Sequence, residues 1–364
     1  MLTSQSRRKK RKTLNSARPH IALGLSGGVD SATSAALLLS EGYRVTGVTC
    51  IFQDGPDVSA TIEAAGAVCQ HLGIDHVIYE VQDIFDRNVI QPFIKDCVAG
   101  LTPAPCVTCN RYCKIPVLCL AADELGCDKI ATGHYARVVE DLDSGRYTLK
   151  RALDESKDQT YMLSLLLQEQ LRRLVLPLGG YTKPEVRHYA EELGLPVAHR
   201  PESQDLCFVE GDYRDFLVQE GVMGVPGSIV TPNGEQVGTH AGLYHYTLGQ
   251  RKGLGVAMGE PYFVIDKNAQ TNTVTIAPKE NTFIKAVEVV DLNWMLECPA
   301  DPCMVKIRYR SKPALAQVYS LPDRRVRVEF REPQALTAPG QCCAFYSGSV
   351  LLGGGIIDKV VFSE

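Results

Sequence analysis

Between residues 20 and 132, short apolar runs alternate with longer amphipathic ones. The runs at 21–25, 44–49, 76–79 and 129–132 have the length and β-branched content of buried strands. The stretches between them, 32–41, 58–72, 84–98 and 111–125, carry apolar residues at helical spacing. Four strands parted by helices predict an α/β fold, a doubly wound parallel sheet covered on both faces. Ligands of such sheets lie beyond the carboxyl ends of the strands. Residues 141–145 read as a hairpin turn between strands at 137–140 and 147–151. After them, 159–167 and 183–193 read as helices, the second ended by Gly194 and Pro196. Beyond Gly211 the texture changes. Short β-branched runs at 228–231, 262–266, 273–277, 304–309, 326–330 and 348–352, separated by turns, predict one or two small all-β modules.

A chain of 364 residues exceeds one ordinary core and suggests two or three domains. No window reaches the roughly 18 uninterrupted apolar residues of a membrane span. The basic run Arg7-Arg8-Lys9-Lys10-Arg11-Lys12 lacks a following apolar segment, so it does not read as a secretory signal, and the expected compartment is the cytoplasm. Setting aside the seven basic residues of the first nineteen leaves 31 basic against 42 acidic side chains. RNA binding must then come from local basic patches. Two qualify: residues 245–252, and a segment where Lys306, Arg308 and Arg310 would share one face of a strand.

One loop brings chemistry into the picture. Gly24, Leu25, Ser26, Gly27, Gly28, Val29, Asp30 and Ser31 lie between the first strand and the first helix. Such a turn offers free N–H groups and the positive end of a helix dipole to a phosphate. Ser26 and Ser31 add donors, and Asp30 adds a carboxylate for a metal ion. The lysine of G-x-x-x-x-G-K-[ST] is absent, and so is G-x-G-x-x-G.

Thirteen cysteines with no export signal point to packing, metal binding or catalysis in a reducing compartment. Cys109 follows Pro103 and Pro105, and a helix expected to begin near Asn110 would lower its pKa, helped by Arg111 and Lys114. Cys106 and Cys109 lack the second pair that a zinc site needs. Cys207, in a polar stretch, is a third candidate. A catalytic pair, simple packing, or an iron–sulfur cluster with one open iron all remain open on spacing alone.

Taken together, the motifs at 24–31 (GLSGGVDS), 102–110 (TPAPCVTCN), 131–137 (ATGHYAR), 157–161 (KDQTY), 202–208 (ESQDLCF), 247–255 (TLGQRKGLG) and 339–341 (PGQ) closely resemble the tRNA-specific 2-thiouridylases, from about His20 to Asp358. The first motif alone marks the broader PP-loop ATP pyrophosphatases. The resemblance implies an adenine nucleotide α-hydrolase-like domain at 20–210, after a basic tail at 1–19. A central β-rich domain at 211–283 and a β-barrel-like domain at 284–364 would both bind tRNA. It implies ATP over the 24–31 loop, with Mg²⁺ shielding the phosphates, Cys50 on the adenine side and Gly133 closing the pocket. The wobble uridine would be adenylated on its C2 oxygen. Cys207 would then pass on sulfur as a persulfide, taken from a cysteine desulfurase or sulfur-relay protein, with Cys109 as its partner in a disulfide or in sulfide release. Ala104, Pro105 and Cys106 match the target-base loop, and His134, Lys157, Asp158, Gln159, Arg308, Tyr309 and Gln341 match tRNA contacts. Some members carry aspartate at the position of Cys106. Members with the extra cysteine imply an alternative, a [4Fe-4S] cluster on Cys106, Cys109 and Cys207. Another PP-loop ligase, or a tRNA-binding protein without catalysis, is the reading from a different class.

Overall fold

The computed structural model describes residues 19–201 and 206–363. The basic run at 7–12 and part of the 202–208 motif lie outside the described residues. Five parallel strands, β1 (His20–Gly24), β2 (Arg44–Ile51), β3 (Asp75–Glu80), β4 (Lys129–Ala131) and the short β7 (Leu174–Val175), stand in the order β3-β2-β1-β4-β7. Alternation along β1 shows why both faces are covered. Ile21 and Leu23 pack among residues of α1 (Val29–Ser40) and α2 (Pro56–Leu72), whereas Ala22 faces a second core with Ile115, Leu118 and Ala121. The chain runs from β1 to β2 on one side and reaches β4 on the other. The crevice expected at that switch point receives the loops that leave β1 and β4.

Two predicted helices are broken. Residues 84–98 form Gln82–Phe85, a π-helical turn Asp86–Ile90, and Gln91–Val98. The next begins at Pro105, not near Asn110, and runs as Pro105–Cys109, a π-helical turn Asn110–Lys114, and Ile115–Glu124. Each π turn lies just before a proline, Pro92 or Pro116, whose missing N–H leaves a carbonyl one turn back unmatched. The helix expected at 159–167 is a 3₁₀ turn (Thr160–Leu163) and a separate helix (Gln168–Arg173). There the Asp158 carboxylate folds back to accept the Ala152 N–H at 3.1 Å and the Thr160 hydroxyl at 2.8 Å, competing with helix continuation.

The β half holds a four-stranded sheet in the order β10-β11-β8-β9, built from β8 (Gly227–Val230), β9 (Gln236–His240), β10 (Tyr262–Asn268) and β11 (Thr273–Pro278). A barrel follows: β12 (Phe283–Trp294), β13 (Cys303–Lys306), β14 (Ala314–Leu321), β15 (Arg325–Ala335), β16 (Cys342–Ser347) and β17 (Val350–Phe362). It closes where β17 pairs with β12. β13 stops at Lys306 and the chain bends, with the Ser311 N–H bonding back to the Arg308 carbonyl at 3.2 Å. Lys306, Arg308 and Arg310 therefore do not share a strand face.

Two links tie the halves together. The hairpin β5 (Ala136–Asp141) and β6 (Arg146–Arg151), which follows β4 in sequence, joins the barrel sheet through Lys150–Val350 and Leu149–Leu351. In the other direction, the corner at 339–341 grips the loop before Pro105. The Thr102 N–H donates to the Pro339 carbonyl at 2.9 Å, and Gln341 Nε2 donates to the Thr102 carbonyl at 2.8 Å. Gly340 has φ +90, and a Cβ there would lie 3.1 Å from the Thr102 carbonyl carbon. No helix among the described residues is long and apolar enough to cross a membrane.

Candidate active site

The 24–31 loop leaves β1 and enters α1 through Gly28, extended at φ −95 and ψ 161, with no side chain capping the helix. The first N–H groups of α1 are thus left for a ligand. Gly27 adopts φ +68, and its carbonyl accepts from Arg200 Nη1 at 2.9 Å. A Cβ on Gly27 would fall 3.1 Å from the Thr61 carbonyl oxygen. Ser31 Oγ accepts the Ser26 N–H at 3.2 Å and donates to the Gly28 carbonyl at 3.0 Å. Leu25 and Val29 are buried in the sheet core, so only their backbone can face a ligand. Gly24 backs onto Leu118, where a Cβ would stand 3.1 Å from its side chain. Gly133, in the loop after β4, lies against this one, and a Cβ on it would meet the Ser31 nitrogen at 3.0 Å.

Asp30 is already engaged. Lys183 Nζ donates to its two carboxylate oxygens at 2.6 and 2.8 Å, and the Tyr135 hydroxyl donates at 2.8 Å. In this structure the Asp30 carboxylate serves as the counter-ion of Lys183. Neither Lys183 nor Arg200 stood out in the sequence. A signal existed for Lys183: it opens the helix Lys183–Glu192, behind a capping box of Thr182 and Glu185. A buried cation at the positive end of a helix needs a specific anion to hold it.

The thiols gather on the far side of β2. Cys109 is buried five residues into its helix and not at the N-terminus, where Cys106 stands instead. A hydrogen bond from the buried Cys113 thiol, one turn on, and the Lys114 ammonium hold the Cys109 thiol below the usual thiol range. Its partner Cys113 is pushed up correspondingly. Cys50 lies near Cys109 and Lys114, and burial pushes it up to about 12. Cys106 and Cys207 are exposed, yet crowded enough that lost hydration raises both, Cys207 to about 11. Cys207 feels the charges of Lys114, Cys109 and Cys106. Its neighbour Phe208 is anchored edge-on against Phe85, Phe93 and Phe216. Cys113 was not anticipated, although its i+4 spacing from Cys109 was visible.

Several expected RNA contacts serve the fold. His134 is buried, its Nδ1 2.8 Å from Thr132 Oγ1, and desolvation lowers its pKa to about 3. Gln159 Oε1 accepts the Tyr135 N–H at 2.9 Å. Asp158 organises its own turn, Gln341 clamps residues 102–103, and Pro105 is buried at the helix start. Ala104, Lys157, Arg308 and Tyr309 are half-buried, and Tyr309 senses both Lys157 and Cys106.

This arrangement has relatives. Family models for a tRNA methyl transferase HUP domain, a tRNA methyl transferase PRC-barrel domain and an aminomethyltransferase β-barrel domain match residues 19–211, 214–278 and 284–357. A tRNA-specific 2-thiouridylase MnmA from Carboxydothermus hydrogenoformans is 44% identical over 359 residues, covering 94% of this chain and 98% of that protein. One from Rippkaea orientalis is 44% identical over 346 residues, covering 93% and 99%. The chain belongs to the tRNA-specific 2-thiouridylase family. Among solved structures, the U34-tRNA thiolase NcsA from Methanococcus maripaludis with its [4Fe-4S] cluster is similar at a TM-score of 0.36 and 20% identity, over 56% of this chain and 65% of that one. That likeness is too distant to bear on chemistry.

As placed here, Cys106, Cys109 and Cys207 do not form a ready set of ligands for a cluster. Among the described residues no three His, Cys, Asp or Glu side chains converge on a point that could hold a metal. Cys109 is turned toward Cys113, and Cys106 and Cys207 face solvent.

Proposed function

We propose that the protein carries out ATP-dependent 2-thiolation of the wobble uridine of tRNA, with AMP and pyrophosphate as products. The observation that supports this reading is that Cys109 and Cys207, far apart in sequence, both come within reach of the Lys114 charge, which also acts on His134, the neighbour of the Gly133 that lies against the 24–31 loop. MgATP enters as substrate, its triphosphate on the N–H groups of the 24–31 loop with Ser26 and Ser31. Gly133 bounds the pocket, and Cys50 lies toward the adenine. The uridine C2 oxygen attacks the α-phosphorus, and pyrophosphate leaves.

Cys207 carries a persulfide loaded by a sulfur donor such as a cysteine desulfurase or a relay protein. Its terminal sulfur attacks C2, and AMP leaves with the former C2 oxygen. The Cys109 thiolate then attacks the Cys207 sulfur of the adduct. The C2 sulfur is released as the thiocarbonyl, and a Cys109–Cys207 disulfide remains, to be reduced by two electrons from an external thiol. The lowered pKa of Cys109 supports this assignment, because the thiolate is the nucleophile. The raised pKa of Cys207 suits a carrier that acts only once loaded. Cys106 does not stand in for an aspartate as a base, because a thiol has a far higher pKa than a carboxyl group and lost hydration raises this one further. Ala104 and Pro105 frame the base, while Lys157, Arg308 and Tyr309 face the anticodon strand. His134, Asp158, Gln159 and Gln341 support these loops.

The test supplies unmodified tRNA, MgATP and a sulfur donor, and measures 2-thiouridine by mass spectrometry of digested tRNA. Cys109→Ser and Cys207→Ser are each expected to abolish the product while ATP binding survives. Full thiolation by either variant would overturn the scheme, and so would activity that tracks roughly four irons per chain after anaerobic purification.

A further inference from the structure

Beside the bend after β13 two cations, Lys306 and Arg151, share one nearby carboxylate, Asp158. The Lys306 ammonium stands 5.8 Å from the centre of the Tyr161 ring and 5.4 Å from that of Tyr309. The Arg151 guanidinium lies 4.6 Å over the Tyr346 ring, with its Nε buried and unbonded. Desolvation lowers the Lys306 pKa, and the nearby Arg151 charge lowers it further. One carboxylate, Asp158, faces Lys306, and its oxygens already accept the Ala152 N–H and the Thr160 hydroxyl. Among the described residues neither Lys306 nor Arg151 forms an ion pair.

Two cations brought out of water beside each other are unfavourable unless an anion arrives to meet them. A guanidinium supplies a fork for phosphate oxygens, and an ammonium supplies a point charge. The location argues for a nucleic-acid strand over a free anion. Tyr309 senses Cys106, so the two cations adjoin the loop proposed to frame the target base; Tyr161 is buried, but the half-buried Tyr309 ring packed against it offers a face for an unstacked base.

We propose that Lys306 and Arg151 form a subsite for a phosphodiester of the RNA strand flanking the target base. This rests on the tRNA reading above; Lys306 was expected only as part of a basic strand face with Arg308 and Arg310, and Arg151 was not expected at all.

The experiment is a salt titration of binding to unmodified tRNA by the full chain, comparing wild type with Lys306→Gln, Lys306→Arg and Arg151→Gln, with MgATP affinity measured alongside. Each glutamine variant is expected to bind tRNA more weakly, on the order of tenfold at low salt. The slope of log affinity against log salt should become shallower by about 0.7. Lys306→Arg should keep the wild-type slope, and ATP affinity should not change. Weaker binding with an unchanged slope would reveal a merely structural role and overturn the proposal. If Lys306→Gln fails to fold, a wild-type slope in Arg151→Gln alone overturns it. Loss of competition by free pyrophosphate without any change in slope would assign the subsite to that small anion and overturn it too. A wild-type chain that binds no tRNA would remove the functional reading along with this one.

Discussion

Replacing Lys183 by methionine isolates the charge that sits behind the phosphate loop. The substitution keeps length and apolar bulk but removes an ammonium held 2.6 and 2.8 Å from the Asp30 oxygens, on a side chain 8% exposed. Asp30 then keeps only the Tyr135 hydroxyl as a side-chain donor. The stranded Asp30 side chain is 32% exposed, so the cost stays below that of a fully buried pair, at about 1–3 kcal/mol, and the melting temperature should fall. The effect on ligand binding is separable. A bare carboxylate about 5 Å from a phosphate, at an effective dielectric constant near 20, repels it by roughly 3 kcal/mol. Affinity for MgATP should therefore drop by roughly a hundredfold or more, as read by calorimetry below the melting transition. The double variant Asp30→Asn/Lys183→Met divides the causes. Recovered affinity means the lysine acts by neutralising Asp30, and persistent weakness means the ammonium also reaches the phosphates. Wild-type ATP affinity in Lys183→Met would refute the reasoning outright.

Three further expectations concern separate parts of the molecule. Cys113→Ala removes the hydrogen bond that holds Cys109 below the thiol range, so the pH midpoint of Cys109 alkylation by iodoacetamide should move up toward about 8.5; an unmoved midpoint would leave Lys114 as the whole cause. Gly340→Ala puts a Cβ on a φ of +90 and 3.1 Å from the Thr102 backbone, and should cost about 1–3 kcal/mol and raise the KM for tRNA more than that for ATP; equal changes in both constants would argue against a specific hold on residues 102–105. His134 stays neutral in the folded protein, with its pKa at about 3, while the unfolded chain takes up a proton near pH 6.5. Its contribution to stability is therefore complete above pH 6.5 and declines as pH falls toward 3, by up to about 1.4 kcal/mol per unit. Urea melts at pH 7.5 and 5.5 should show that loss in wild type and a smaller one in His134→Asn; identical losses would count against it.

The parallel sheet and the glycine turn at 24–31 were readable because short apolar runs and a glycine turn between a strand and a helix are local signals. The helix around Cys109 was misplaced because Pro105 was taken as a breaker, whereas at the first helical position its missing N–H costs nothing. Asp30 was judged by its own chemistry, and its partner Lys183 lies 153 positions away, beyond the reach of any local pattern. The same limit hid the second role of Gln341, whose bonds to residues 102 and 103 join opposite ends of the chain. Lys306 and Arg308 were noticed as basic, but a strand that ends one turn early put them in different surroundings from those that alternation implied.

The hairpin β5–β6 bears on how the molecule comes into being. Leu149 waits for Leu351 and Lys150 for Val350, so an emerging chain must hold an unpaired strand edge until β17 has been synthesised. Contacts spanning so much sequence form late. The loop at 102–105 waits in the same way for residues 339–341. A partly synthesised chain can thus assemble its parallel sheet while the hairpin edge and the loop at 102–105 stay unset, so the two halves lock together only once residues 339–351 have emerged.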